Sequence, residues 1–288
     1  MRGLKASCAG LCFVACAMIA PPAAHVHASG ASTAGPTSAM AGADAKQIVA
    51  TMLSNEDLAL RRPNRYTYIS EERSDRTGGH LWREKVVETG AGKVRMLLDE
   101  DGKPLPPERV SAERGRLAQI VADPAGFVRS SQTMKDDEAH ALQLLQLLPK
   151  AFLFSDVRSE GSDLHIDFKP DPAYVPQSME QRVLHAMSGT VLIDAKTLRV
   201  HHIEGHLPQD VSIGFGLLAT IHAGSTFATT RDAEESPDWK TAQLDTNING
   251  RAIFFKTIAR KEHSEHDNFT RVPNDITPTQ AVAVAEQP

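Results

Sequence analysis

Apolar and polar positions alternate with a period of two through most of residues 183–261, which predicts a run of β-strands folding back on one another. Residues 189–194 form one strand, residues 194–197 supply a turn, and residues 198–207 form the next strand. Within that next strand Leu198 and Val200 fall on one face and Ile203 and Leu207 on the other; a β-bulge at His201-His202 would absorb one residue and reunite them. Residues 225–231 alternate around Phe227, residues 232–238 are a polar turn, and residues 239–248 are a further strand. Asn249-Gly250 is a strong hairpin signal, since both residues tolerate positive φ, and residues 251–261 return from it. These strands lie too close in sequence for helical crossovers, so they are antiparallel neighbours.

Upstream the period changes. Asp44 with Gln47 resembles a capping box, and Ile48, Val49, Met52 and Leu53 share one helical face, so a helix of about four turns precedes the sheet and stops at Arg61-Arg62-Pro63. Three strands follow: residues 66–73, with Tyr66 and Tyr68 on one face and Ile69 on the other; residues 81–89, carrying Trp82, Val86 and Val87; and residues 94–98. Pro106-Pro107 opens a helix whose buried side is marked by Val110, Leu117, Ile120 and Val121, and Asp123-Pro124 ends it. A second helix is expected over 136–148, with Leu142, Leu145 and Leu148 among its apolar residues. A hairpin is expected over 152–157 and 164–168, and a short helix over 178–187. Beyond Val272 the chain reads as a loose tail. The order of elements is that of an α+β domain with one antiparallel sheet and helices gathered on one side.

Composition sets the setting more than the chemistry. The formal charge of −5 over 288 residues argues against nucleic acid as a partner. Arg2 and Lys5 precede an apolar core at residues 6–20, and Val26-His27-Ala28 offers a small-residue cleavage site, so residues 1–28 read as a signal peptide. Removal of that segment takes away Arg2, Lys5 and no acid, which moves the charge from −5 to −7. The apolar core is shorter than the ~20 residues that span a bilayer. Residues 29–43 are a flexible linker, rich in Ala, Ser, Gly and Thr. The cysteines, Cys8, Cys12 and Cys16, all lie in the leader; cleavage after Ala28 leaves no thiol for a disulfide, a nucleophile or a zinc site. A rival processing site, Phe13-Val14-Ala15-Cys16, loosely resembles a lipoprotein box and would place a lipid on Cys16.

Candidate reactive motifs are sparse. His202, Glu204 and His206 alternate on one strand, as a zinc site requires, and so does a solvated strand face; His263, Glu265 and His266 pose the same choice. Gly214-Phe-Gly216-Leu-Leu-Ala219 matches a dinucleotide fingerprint in letters but lacks the long helix that its phosphate chemistry needs. Residues 99–102 start like a calcium loop without its spacing. There is no Gly-x-Ser-x-Gly elbow. The expectation is a protein with no cofactor, no metal and no catalytic residue.

Four motifs carry a family resemblance: Tyr66-Thr-Tyr68-Ile-Ser-Glu71, Asp101-Gly-Lys-Pro-Leu105, Gly189-Thr-Val-Leu-Ile-Asp194 and the stretch from Gly216 to Ser225. Across residues 66–269 the chain resembles an uncharacterised bacterial envelope group related to the outer-membrane lipoprotein carriers and receptors of the LolA/LolB-like fold. The domain so indicated is expected over 44–271, with the polar, proline-bearing residues 272–288 as a disordered tail. Its fold would be a single curled antiparallel sheet, an unclosed β-barrel, with helices packed on its concave face. The resemblance also implies a periplasmic, outer-membrane-associated, non-enzymatic binding protein that holds a lipid or lipoprotein acyl chain between sheet and helices. Burial of methylenes, at roughly 0.8 kcal/mol each, would drive that binding. Candidate lining residues are Ile69, Trp82, Val86, Leu97, Leu192, Ile203, Phe227, Leu244 and Phe254, with residues 108–122 and 136–148 as a helical lid. An aromatic content of 5% is low for such a hollow. The alternative is an envelope sensor or protein-interaction module of the same fold, and a metal-dependent hydrolase built on His202, Glu204 and His206 is a third reading.

Overall fold

A computed structural model of the chain describes residues 45–155, 157–213, 219–234, 238–252 and 256–287. The leader, the linker, Asp44, the Gly214–Gly216 fingerprint and Phe254 lie outside these described residues. Helix α1 (Ala45–Leu60) leads into strands β1 (Arg65–Arg73), β2 (Leu81–Glu88), β3 (Lys93–Glu100) and the short β4 (Lys103–Pro104). Helices α2 (Pro107–Ala122), α3 (Pro124–Leu145) and α4 (Leu148–Ala151) follow, then β5 (Phe152–Phe154), β6 (Arg158–Glu160), β7 (Asp163–Pro170) and α5 (Met179–His185). The remainder is β8 (Ser188–Asp194), β9 (Val200–His206), β10 (Val211–Ile213), β11 (Ala219–Ile221), β12 (Thr226–Ala233), β13 (Trp239–Ala252), β14 (Lys256–Val272) and α6 (Pro278–Ala285).

All these strands join one 14-stranded sheet in the order β4-β3-β2-β1-β14-β13-β12-β9-β8-β7-β5, with β10–β11 attached through β13 and β6 through β7. Every pairing is antiparallel, and the sheet is curled without closing into a barrel, so the α+β class and the unclosed sheet are as the sequence predicts. The expected bulge at the histidine pair is present. Leu192 pairs with His202 and Ile193 with Val200, which leaves His201 as the extra residue and puts Val200 and Ile203 back on one side.

Register divides the sheet into two faces. Tyr68 stands opposite Val86, Ser70 opposite His266, Leu244 opposite Ser264 and Thr229, and Ile203 opposite Thr229 and Val191. Residues directly opposite share a face, so all of these lie on one side, and α1 covers its β7–β9 end. There Ile48, Val49, Met52 and Leu53 pack with Leu164, Ile166, Phe168, Val191 and Ile193. A second core sits on the opposite face at β2–β3, where Val87 and Val94 meet Leu117 and Ile120 of α2 and Ala281 and Val282 of α6. The helices therefore divide between the two faces. Helix α2, expected as part of a lid over Val86, packs behind it against Val87, and Val121, expected to be buried, is 43% exposed.

Helix α2 also shields an open strand edge. The Leu97 N–H donates to Glu113 Oε1 at 2.9 Å, and the Arg116 guanidinium donates to the Arg95 carbonyl. Side chains thereby occupy positions that a neighbouring strand would otherwise fill.

Three expectations need correction. Helix α3 begins at Pro124, well before residue 136, because Asp123 caps it: Asp123 Oδ1 accepts from the Gly126 N–H at 2.8 Å, with proline at the first helical position. The expected loose tail contains α6, started by a full capping box between Thr277 and Gln280, and its Ala281, Val282 and Ala285 are buried. Asn249-Gly250 is not a turn; both residues pair inside β13–β14, and the pairing runs on to Ala252 and Lys256. Gly250 is needed there for a different reason. Strand β11 lies so close that a Cβ at this position would sit 2.5 Å from the Thr220 carbonyl oxygen. Gly250→Ala is accordingly expected to cost about 1–3 kcal/mol in urea unfolding, whereas an alanine in a free turn with negative φ would cost little.

Candidate functional site

The face that carries Ile166 and Tyr68 changes character along the sheet. At the β7–β9–β12 end it is apolar. Leu144 and Leu145 of α3, Leu184 of α5, and Phe168, Ile203 and Phe227 enclose a void of about 20 Å³ there. Glycines make the space: a Cβ on Gly205 would lie 2.5 Å from the Phe227 ring, and one on Gly189 would lie 1.9 Å from the Glu204 carbonyl oxygen. Without side chains at these two paired positions, the Phe168 and Phe227 rings lie across the strands.

Toward β13, β14, β1 and β2 the same face turns ionic. Glu56, reaching down from α1, accepts from Arg199 at 2.8 Å and from Arg231 at 2.8 Å. Burial raises the Glu56 carboxyl, but Arg231 and Arg199 outweigh it and hold the group below its ordinary value. Glu88 Oε2 accepts from Lys240 Nζ at 2.9 Å and from the Tyr66 N–H at 3.0 Å. The Lys240 ammonium also lies 4.5 Å from the centre of the Tyr66 ring, whose hydroxyl donates to Asp238 at 2.9 Å. Burial pulls Lys240 and Arg231 below their usual values, against the opposing pull of Glu88 and Glu56.

Beside these pairs is a pocket of about 40 Å³, walled by the rings of Tyr68, Trp239 and Phe269 and by the cations Lys93, Arg231 and Lys240. His266 completes the wall. Burial, reinforced by Lys93, pushes its imidazole down to about 4; the ring is neutral at pH 7 and donates Nδ1–H to the Thr241 carbonyl at 3.0 Å. Thr229 Oγ1 and Ser70 Oγ, both buried on this face, have no hydrogen-bond partner among the described residues.

A further ionic knot closes the β1–β2 end. Arg76, from the turn after β1, donates to both Glu72 and Glu84 at 2.6 Å and stacks 5.3 Å from the centre of the Trp82 ring, while Arg95 reaches Glu84 at 3.0 Å. Burial raises the Glu72 carboxyl, but Arg76 and Arg95 prevail and bring it down to about 2. A carboxyl depressed in the fold contributes stability that is present above its unfolded value, near 4.3, and is lost as pH falls through 2. Glu72→Gln is therefore expected to flatten the decline in unfolding free energy between about pH 4.5 and pH 2, as read by urea titrations across that range.

Of the nine residues expected to line a cavity, Trp82, Val86, Leu97, Ile203, Phe227 and Leu244 lie on the face that α1 covers, and only Ile203 and Phe227 among them border the apolar void. Ile69 and Leu192 are corrected to the opposite face, where they stand across from Lys85 and Asp267, and from His165 and His202. In β1 the inward positions belong to the tyrosines, because a Tyr ring buries apolar area while its hydroxyl finds Asp238. Phe254 lies outside the described residues. His202, Glu204 and His206 do share a face, the outward one, but His202 Nδ1 is taken up by Thr230 Oγ1 at 2.9 Å. No group of three metal-ligating side chains is assembled among the described residues. Glu56, Glu88, Arg231, Lys240 and His266 had no place among the sequence candidates. Glu84, Val86 and Glu88 alternate in phase with Tyr68, and that phase is the one available sign that carboxylates face inward.

No protein-family model, curated protein or solved structure matches this chain, so the likeness to the lipoprotein carriers rests on sequence motifs alone.

Proposed function

We propose that the protein is an exported, non-enzymatic binding protein that holds a lipid or lipoprotein acyl chain between the sheet and the helices of its α1 face. The observation that carries this reading is the enclosed apolar void between α3, α5 and the β7–β9–β12 surface. As it stands it has room for little more than a methyl group. A chain would enter by displacing the end of α3, and each methylene buried would return roughly 0.8 kcal/mol. Binding sites of this kind are concave and largely apolar, with a few placed polar groups, and the ionic half of the same face supplies such groups. Native mass spectrometry of protein purified from its host membrane, with displacement of a fluorescent fatty acid, tests the reading. Co-purifying acyl mass and competitive displacement are expected; neither being seen removes the carrier role.

A sensor or interaction module remains the second reading, favoured by one observation. Val121 at the end of α2 and Val128 and Met134 along α3 stand 43%, 43% and 40% exposed. Loss of partner capture on Val128→Ser, in a protein that shows no acyl binding, would support it.

A further inference from the structure

We infer that His165 is a proton-operated latch that holds the edge strand β6 on β7. Strand β6 pairs with β7 alone, through Arg158, Ser159 and Glu160, and all of these are exposed. Backbone pairing over so short an exposed stretch opens easily, so side chains decide whether the strand stays. The His165 ring lies between two carboxylates: Nδ1 is 2.6 Å from Glu160 Oε2 on β6, and Nε2 is 2.9 Å from Asp167 Oδ1 on β7. Ionised carboxylates only accept hydrogen bonds, so both ring nitrogens donate and the ring is an imidazolium. A neutral ring keeps one N–H and turns a lone pair toward the other carboxylate. Asp167 is fixed by Arg158 at 2.9 Å and by the Thr190 hydroxyl at 3.1 Å, so the exposed Glu160 is the partner free to leave. Other charges near the ring on this face are Arg158, directly opposite it on β6; Asp163, two residues before it and bound to His201 at 2.6 Å; and Asp194, opposite Asp163 on β8. Strand β8 sets the apolar Leu192 directly across from the ring, with His202 of β9 beyond it. Glu160 and Asp167 outweigh burial and Arg158, and hold the imidazole above its ordinary value.

A group raised in the fold contributes stability below its unfolded value, about 6.5 for histidine, and that stability is lost as pH rises through the folded value. The latch is therefore closed in mild acid and opens at higher pH. Its release bares the backbone N–H and C=O groups of residues 163–165, an edge on which another strand adds. The latch does not depend on the acyl reading. NMR of the intact ¹⁵N-labelled protein, from about pH 5.5 to about pH 8.5, follows the His165 ring together with the backbone mobility of residues 158–160. The ring is expected to titrate above about 6.5, and the heteronuclear NOE of Ser159 and Glu160 to fall along the same curve. His263 is the comparison: it sits between Asp245 at 2.6 Å and Glu265 at 3.4 Å, but inside the long β13–β14 pairing with β1 on the other side. It is expected to titrate without loosening its neighbours. Glu160→Gln, at an exposed position, is expected to lower the His165 pKa and abolish the pH-dependent change in β6. The latch is overturned by a His165 ring that titrates at or below about 6.5, by β6 mobility that ignores its titration, by equal loosening around His263, or by a full pH response in the Glu160→Gln protein.

Discussion

Glu56→Gln is expected to destabilise the protein by about 3–5 kcal/mol. The carboxylate is 7% exposed and is the shared acceptor of Arg199 on the β8–β9 turn and Arg231 on β12, so it ties α1 to two parts of the sheet at once. Glutamine keeps the shape and removes the negative charge that these two buried guanidinium groups share. The Val200 N–H also donates to Glu56 Oε1 at 3.0 Å, so a backbone group is affected as well. The comparison is Arg61→Ala just past the end of the same helix, which breaks an exposed pair with Asp57 and should cost less than about 1 kcal/mol. Acid should mimic the Glu56 substitution. Because the folded carboxyl is depressed, its contribution is present above the unfolded pKa and disappears as pH falls through the folded value. Urea unfolding at pH 7 of both variants checks the difference.

Phe152→Ala is expected to cost about 3–5 kcal/mol by loss of transfer free energy and creation of a cavity. The ring is 2% exposed, packs edge-on to Phe168 at 5.3 Å between centres and joins β5 to the α1 core. Its neighbour Leu153 points the other way and is 43% exposed, so Leu153→Ala should lie within about 0.5 kcal/mol of the parent. The contrast between adjacent residues tests the face assignment of this edge strand, since a one-residue slip would exchange the two outcomes. Thermal unfolding followed by near-ultraviolet circular dichroism reads both.

What could be read from sequence follows from how many signals agreed. Leu164, Ile166 and Phe168 alternate without interruption and are all buried; the broken alternation at His201-His202 located its bulge because only one extra residue could repair it. Helix α1 was legible from its apolar stripe. The misreadings arose where one residue type serves two purposes. Gly250 looked like a turn glycine but makes room for β11, and Asp123-Pro124 looked like a stop although the same pair caps and starts α3. The Thr277-x-x-Gln280 pattern of α6 was legible in principle and was masked by the prolines around it. The ionic half of the α1 face was the hardest to foresee. Burial of Glu72, Glu84 and Glu88 requires Arg76, Arg95 and Lys240, and of these only Arg76 lies close to its partners in sequence. Patterning by hydrophobicity assigns such carboxylates to the solvent side, and the pairing that overrules it is tertiary.

In the proposed function one face of the curled sheet is a receptacle with an apolar end beside an ionic one. Amide and methyl NMR of the isotope-labelled protein titrated with dodecanoate tests this most directly. Shifts are predicted at Leu144, Leu184, Ile203 and Phe227, which border the apolar void, while His165 and His263 on the outward face stay still. Shifts confined to the outward face, or none at concentrations below micelle formation, would contradict it.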